Sequence, residues 1–200
     1  YDYYKDRGIE REAFKSGEID FFSENSSKEW ATSYSIDAVE KGLIVKELIQ
    51  HENPQGMQGF AFNLRKDKFK DRRVRKALSN AFDFEWSNKN LFFDAYKRTD
   101  SFFENSELAS SGLPSKEELK HLNPYFDILP NEIFSQEFKN PVTDGSGYMR
   151  EQLQEAAELL KVSGWQLIDG KLIDPSTQEN FSFEILLRSP AFERIVFPFK

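Results

Sequence analysis

Few side chains of this sequence stand at spacings that support bond chemistry. The two histidines, His51 and His121, have no metal-ligand partner at motif spacing. The chain has no cysteine, which excludes disulfides, cysteine-ligated zinc and a cysteine nucleophile. It also lacks a nucleophile elbow, a phosphate-binding loop and a GxGxxG dinucleotide fingerprint. These absences argue against an enzyme, and neither a cofactor nor a metal is expected.

The charged residues are mostly acidic, and their spacing shows no recognisable catalytic pair. Asp and Glu total 34 against 27 Lys and Arg, which gives a net charge of −7. This balance argues against a general nucleic-acid binder, which would present a basic surface. The densest basic run, residues 72–76, is predicted to be the solvated face of a helix. A hydrolase with Glu24 and Asp144 as acid and base is the remaining enzymatic alternative.

The elements that must position any site are a mixture of helices and strands. Of the 200 residues, 38% are hydrophobic and 20 are Phe, enough for a sizeable core. Hydrophobic periodicity and capping residues predict the main helices over residues 8–16, 26–34, 71–81, 85–93, 115–122, 130–134 and 148–162. Short apolar or alternating runs predict strands over residues 1–4, 19–22, 43–49, 59–64 and 181–187, with a hairpin at 165–173. The fold class is therefore α/β in the mixed α+β sense.

One long segment has no regular pattern. Residues 96–147 include four prolines and several glycines and serines. Because an irregular segment of this length in a compact domain is often functional, we expect it to contribute to a site.

Four segments, taken in order, resemble one known family. They are residues 12–21 (EAFKSGEIDF), 59–63 (GFAFN), 69–83 (FKDRRVRKALSNAFD) and 157–165 (AELLKVSGW). Each is weak alone, but their order and their spread over the chain resemble the extracellular solute-binding proteins of family 5. These proteins are the peptide and nickel receptors of ABC importers.

Further segments resemble one subgroup of that family, the YejA-type receptors for oligopeptides and the peptide antibiotic microcin C. The resemblance lies in residues 25–32, 82–88, 103–109, 141–147 and 190–194. It implies that the chain is the substrate-binding component of an ABC transporter, capturing oligopeptides for import without catalysis. The implied partners are an oligopeptide ligand and an inner-membrane ABC permease, with no nucleic acid.

The resemblance also implies a location and leaves alternatives open. The expected compartment is the periplasm of a Gram-negative bacterium, with the signal peptide outside this fragment. A receptor of the same family for nickel, haem or a modified peptide antibiotic is the main alternative. A third is an interaction protein that docks a membrane partner.

The fold implied by the resemblance is a fragment of a two-lobed periplasmic binding protein of type II. Residues 1–51 are expected to be part of lobe one, as a βαβ unit plus a strand, and residues 52–56 to be the hinge crossing. Residues 57–200 are expected to be part of lobe two, truncated at its C-terminal end. Because an incomplete sheet leaves an open edge, the fragment is predicted to self-associate.

The expected ligand contacts follow from a cleft between two lobes. Residues at the carboxyl ends of parallel strands should face it, and the irregular segment should supply others. The candidates are Ser23, Glu24, Asn25, Trp30, Gln58, Arg98, Phe103, Glu104 and Asn105. Glu24 is a candidate to hold a peptide amine, and Arg98 to meet a carboxylate bidentately. The alternatives are that Trp30 is a core residue and Arg98 forms an ordinary surface ion pair.

Overall fold

A computed structural model describes residues 2–199, and the regular elements in that range are mostly helices. The α-helices are α1 (Arg7–Ser16), α2 (Ser27–Thr32), α3 (Asp37–Glu40), α4 (Arg72–Asn80), α5 (Phe84–Leu91), α6 (Lys116–Leu122), α7 (Glu132–Ser135), α8 (Arg150–Val162) and α9 (Glu193–Phe199). The strands β1 (Gln166–Ile168) and β2 (Lys171–Ile173) form an antiparallel hairpin with Leu167 opposite Leu172. The mixed class of helix and strand is confirmed. None of the helices described is long and apolar enough to cross a membrane.

Local sequence decides where the helices begin and end. The Asp6 carboxylate accepts hydrogen bonds from Gly8 N at 2.7 Å and Ile9 N at 3.2 Å, which caps the start of α1. Gly17 ends the helix in a left-handed conformation, with φ of 83°. At α6, Ser115 and Glu118 form a reciprocal capping box. These caps use neighbouring residues only, which explains why the helices were predictable.

The described chain divides into two compact units. The first takes the residues up to His51 together with Asn88–Tyr96. The second takes Glu52–Ser87 and the residues from Lys97 onward. Helix α5 contributes residues to both units, because the division falls between Ser87 and Asn88.

The first unit has a small core beside α1. Ala13 and Tyr34 are buried in it. Phe14 stacks on Phe22, with ring centroids 5.8 Å apart. Such aromatic pairs contribute about 1 kcal/mol beyond the area that they bury.

The second unit is built on the packing of α4 against α8. Val74 and Ala77 of α4 are each 1% exposed, and Ala156 of α8 is also buried. Burial of an apolar side chain the size of Val contributes about 2 kcal/mol. At the edge of this contact, Lys76 pairs with Glu155 at 2.9 Å. The helix pair is the most regular part of the unit.

Most of the predicted strands are wrong within the described residues. The segments 19–22, 43–49, 59–64 and 181–187 and the described part of 1–4 are not strands, so the expected βαβ unit of lobe one does not form. Tyr1 lies outside the described residues. A strand needs a hydrogen-bonded neighbour, and the ladders found among residues 2–199 are the hairpin and an isolated bridge between Ile173 and Asn180.

The segments without ladders leave apolar side chains in water. Phe21, Leu43, Val45 and Leu186 are 75%, 78%, 79% and 98% exposed. Exposed apolar residues in segments without a strand partner are a hazard for association. Self-association of this chain therefore stays a prediction, and a strictly monomeric mass in light scattering at high concentration would contradict it.

The end of α5 also differs from the prediction. The helix stops at Leu91 rather than at residue 93. Phe93 and Asp94 have φ of 57° and 56°, the left-handed region, which is incompatible with a continuing right-handed helix.

Candidate ligand-binding site

Among the predicted site residues of the first unit, Glu24 has a nearly buried side chain that accepts several hydrogen bonds. Its carboxylate accepts hydrogen bonds from Arg11 Nε at 2.8 Å and from the Tyr34 hydroxyl at 3.1 Å. It also accepts one from Ser26 N at 3.0 Å. The Glu24 side chain is 3% exposed and that of Arg11 is 13% exposed. The arrangement gives Glu24 an internal role as the partner of Arg11.

The protonation of this cluster follows from its contacts. Burial alone would raise the pKa of Glu24, but the hydrogen bonds from Arg11 and Ser26 hold it below its ordinary value of 4.5. Burial, together with the Glu24 charge, raises the pKa of Tyr34 to about 12. Near neutral pH, Glu24 is therefore ionised and Tyr34 is neutral.

Trp30 joins the same cluster from α2. Its ring lies 6.3 Å from that of Tyr34, centroid to centroid. Lys46 Nζ lies 4.4 Å above the Trp30 ring and donates to the Trp30 carbonyl at 2.7 Å. A cation over an indole face is favourable by about 1 kcal/mol. Trp30 is half-buried, so part of its side chain faces water beside a lysine.

Ser23 and Asn25 flank Glu24 and are both exposed. The Ser23 carbonyl accepts a hydrogen bond from the Arg7 guanidinium, which also lies 4.4 Å from the centroid of the Phe22 ring. The predicted residues of the first unit are therefore neighbours. Arg7 and Arg11, which sequence reasoning did not single out, supply the cations beside them.

In the second unit, the irregular segment has a hydrogen-bonded stem. Arg98 donates to the Pro141 carbonyl at 2.7 Å, and Asn140 Nδ2 donates to the Thr99 carbonyl at 2.8 Å. Asn140 also binds the Asp100 carboxylate, at 2.7 Å from Nδ2. These bonds join the start of the segment to its end, about 40 residues later along the chain.

Arg98 sits in a polar and aromatic setting. Its guanidinium lies 6.0 Å and 5.9 Å from the rings of Phe82 and Phe84. Burial lowers the pKa of Arg98 from its ordinary value, and the nearby Glu85 and Asp100 charges act in the opposite direction. The guanidinium thus braces the stem, and a carboxylate contact by Arg98 stays a prediction.

A second brace fixes the stem to the start of α5. Thr143 Oγ1 donates to the Asp83 carboxylate at 2.5 Å, and Thr143 N donates to that of Glu85 at 3.0 Å. Gly147 lies four residues after Thr143 and has a φ of 82°. A Cβ at this position would lie 3.1 Å from Trp86 Cδ1. Only glycine meets both constraints, so the loop needs glycine at this position.

The remaining candidates lie where the irregular segment meets the residues that open the second unit. The Glu104 carbonyl accepts a hydrogen bond from Gln55 N at 2.8 Å, and Asn105 Nδ2 donates to the Asn53 carbonyl at 2.8 Å. Phe103 precedes this contact and is 56% exposed. Gln58 is exposed and lies three residues beyond Gln55.

Sequence reasoning missed two exposed apolar residues in this area. Phe102 is 74% exposed, more than the predicted Phe103, and Met57 is 50% exposed beside Gln58. Phe102 could have been predicted from the sequence, because it lies next to the candidate Phe103 in the irregular segment. The structure thus arranges the predicted residues into two groups, one in each unit.

Two hollows occur in the second unit away from these residues. One of about 570 Å³ is lined mainly by α8, including Leu153 and Ala157. The other, of about 320 Å³, is lined by residues that include Trp86 and Phe199. No predicted site residue lines either hollow. Among the residues described, no group of three or more His, Asp or Glu is placed to hold a metal ion.

Comparison with known proteins identifies the class. Residues 1–196 match the model of the bacterial extracellular solute-binding proteins, family 5 middle region, and the chain belongs to this family. The family resemblance seen in the sequence is confirmed.

Individual relatives point to the YejA type. The chain is 42% identical over 200 residues to the uncharacterized protein YejA of Escherichia coli. It is 39% identical over 201 residues to the probable peptide-binding protein YejA of Agrobacterium fabrum, and both matches cover 100% of this chain. It is also 37% identical over 197 residues to the peptidoglycan-binding protein YepA of Agrobacterium fabrum, which covers 94% of this chain.

The chain spans about one third of the length of these relatives. It covers 33% of each YejA protein and 32% of YepA. The identities of about 40% to YejA proteins over the whole chain confirm the YejA type that the sequence predicted.

Proposed function

We propose that this chain is part of the substrate-binding component of an ABC importer that captures oligopeptides in the periplasm of a Gram-negative bacterium. The observation that carries the proposal is the family match over residues 1–196, together with similarity over the whole chain to YejA-type proteins. One of these relatives is named as a probable peptide-binding protein. The receptor would close around its ligand and deliver it to an inner-membrane ABC permease, without catalysis.

An exposed segment without helix or strand supports a peptide as the ligand. The segment 45–61 is exposed at every residue and contains no helix or strand. A receptor that accepts many side chains must recognise the main chain of its ligand, and an extended peptide can add to such a segment as a further strand. The predicted division into lobe one, a hinge at 52–56 and lobe two belongs to this proposal.

The side chains near the two groups support a division of roles. Trp30 with Lys46, and Phe102 with Phe103, present aromatic surface and a cation at the protein surface. Aromatic faces accept varied side chains, whereas a lysine favours a carboxylate. Glu24 and Arg98 would act by holding their units in shape rather than by touching the peptide.

A second candidate ligand is a peptide that remains attached to a fragment of peptidoglycan. The observation that favours it is the name of one relative, a peptidoglycan-binding protein, at 37% identity. Both candidates share a peptide and differ in the sugar. No cluster of metal ligands in the part of the chain described here favours nickel.

Calorimetric titration tests the proposal. A receptor of the relatives' full length that carries this chain, stripped of bound ligand, is titrated with peptides of increasing length, and then with one peptide free and linked to a muramyl sugar. The proposal expects saturable binding that strengthens with length and changes little with side-chain identity. Failure of all peptides to bind would refute it, and binding of the sugar-linked form alone would favour the second candidate.

A further inference from the structure

The loop from Ser101 to Ser110 in the second unit has a fixed shape. Ser101 Oγ accepts hydrogen bonds from Phe103 N at 3.3 Å and from Ser110 N at 3.1 Å, and Ser101 is buried. Ser106 Oγ donates to the Phe103 carbonyl at 2.7 Å. Because its own groups set its conformation, the loop can serve as a support for another segment.

The supported segment is residues 53–55, about fifty positions earlier in the chain. Gln55 N donates to the Glu104 carbonyl at 2.8 Å, and Asn105 Nδ2 donates to the Asn53 carbonyl at 2.8 Å. We refer to these two bonds as the loop clamp. Residues 53–55 are exposed and lie outside any helix or strand, and the loop clamp ties them to the loop at two points.

Asn105 has the backbone conformation that this contact needs. Its φ is 60°, in the left-handed region that most side chains avoid and that asparagine adopts more readily than other non-glycine residues. An asparagine there provides both the turn and an amide donor. Glycine would provide the turn but no side-chain donor. Aspartate would provide the turn, but its carboxylate is an acceptor and could not donate to the Asn53 carbonyl.

The clamped segment leads directly to a predicted ligand contact. Gln58 lies three residues beyond Gln55, a reach of at most about 10 Å for an extended chain. We propose that Asn105 is a positioning residue, which holds residues 53–55 so that Gln58 is presented to the ligand without Asn105 touching it. This role rests on the proposed function, because it needs a ligand at Gln58.

The first test uses Asn105→Gly in a receptor of full length that carries this chain. Removal of the amide donor should speed hydrogen exchange at the Gln55 amide about tenfold and weaken binding of a peptide about tenfold. The melting temperature should stay within about 2 °C, since the change is local. Asn105→Asp should do the same, because its carboxylate faces the Asn53 carbonyl. Asp169→Gly, at a left-handed position in the hairpin turn, should change neither readout.

A double-mutant cycle with Gln58→Ala separates positioning from contact. If Asn105 acts through Gln58, Asn105→Gly should weaken binding less than about twofold in the Gln58→Ala background. Full additivity of the two losses would overturn the proposal, because Asn105 would then act independently of Gln58. Unchanged exchange at Gln55, or faster exchange with unchanged affinity, would also overturn it. If the unaltered receptor binds no peptide, the proposed function fails and this role with it, while the exchange rate still decides whether the loop clamp exists.

Discussion

The two units use their predicted ligand-binding charges in different ways. In the first unit, Glu24 meets an opposite charge, Arg11, at 2.8 Å, and both side chains are largely buried. In the second unit, Arg98 meets a neutral carbonyl, that of Pro141, at 2.7 Å. A buried ion pair and a charge on a neutral acceptor respond differently to the loss of one partner, because only the first leaves behind an opposite charge that was its hydrogen-bond partner.

The charged candidates with internal partners differ in this way from the exposed candidates that a ligand can reach. Both residues were predicted to hold the ends of a peptide, and both have internal partners in the structure. Their contact with a peptide stays a prediction. The predicted site residues that remain exposed are all uncharged; they are Ser23, Asn25, Gln58, Phe103 and Asn105. Such an uncharged surface suits the proposed ligand, a peptide recognised through its main chain.

Arg11→Met should have the largest effect. It leaves the Glu24 carboxylate buried without its cation, so the free energy of unfolding of the first unit should fall by about 3 kcal/mol. Hydrogen exchange of the α1 amides, measured at increasing denaturant concentration, gives this free energy of unfolding. Lys41→Met is the matched control, because the Lys41–Asp37 pair is exposed and should contribute at most about 0.5 kcal/mol. Equal effects of the two changes would contradict the comparison.

Arg98→Met should have a smaller effect, in the second unit. It removes a charged donor from the Pro141 carbonyl, which should cost about 2 kcal/mol. Faster exchange should be confined to the stem around residues 98–100 and 139–143. If Arg98→Met instead abolishes peptide binding while the stem stays protected, Arg98 contacts the ligand, as the sequence predicted.

Acid should weaken the first unit through Glu24. The pKa of Glu24 is lower in the folded chain than its ordinary value of 4.5, so its contribution to stability is present above that pH. It is lost as pH falls through the lowered pKa. Unfolding titrations between about pH 6 and 3 should show a steeper loss for the unaltered chain than for Glu24→Gln. Identical slopes would show that Glu24 is not held ionised by Arg11.

Tyr34→Phe should have the smallest effect near neutral pH. It removes one hydrogen bond to Glu24, a loss of about 1 kcal/mol. The pKa of Tyr34 is raised to about 12 in the folded chain from an ordinary value of 10, so its contribution is present below pH 10 and lost as pH rises towards 12. In an alkaline titration followed by tyrosine absorbance, the component with the highest pKa belongs to Tyr34, and it should therefore be missing in the variant. A component that persists would belong to another tyrosine.

The sequence predicted the helices better than the strands for a physical reason. The caps of α1 and α6 lie within three residues of the helix start, so local sequence contains the information. A strand depends on a partner that is remote in the chain, and residues 43–49 have the composition of a strand without a partner in the described range.

The same limit applies to the candidate site. The sequence placed Glu24 after an extended segment, but its partner Tyr34 is ten residues away and Arg11 is thirteen. Arg98 and Pro141 are 43 residues apart. Residue types indicate which groups can bind a ligand, whereas their internal partners are fixed only by tertiary contacts.

Recognition of the peptide main chain is tested most directly by N-methylation of the ligand. A receptor of full length that carries this chain is titrated with a peptide and with the same peptide N-methylated at alternate residues, which removes N–H donors and keeps the side chains. The account predicts that methylation weakens binding at least about tenfold, whereas alanine replacement of single peptide side chains changes it less than about threefold. The reverse pattern, tolerance of methylation with strong dependence on side chains, would contradict it.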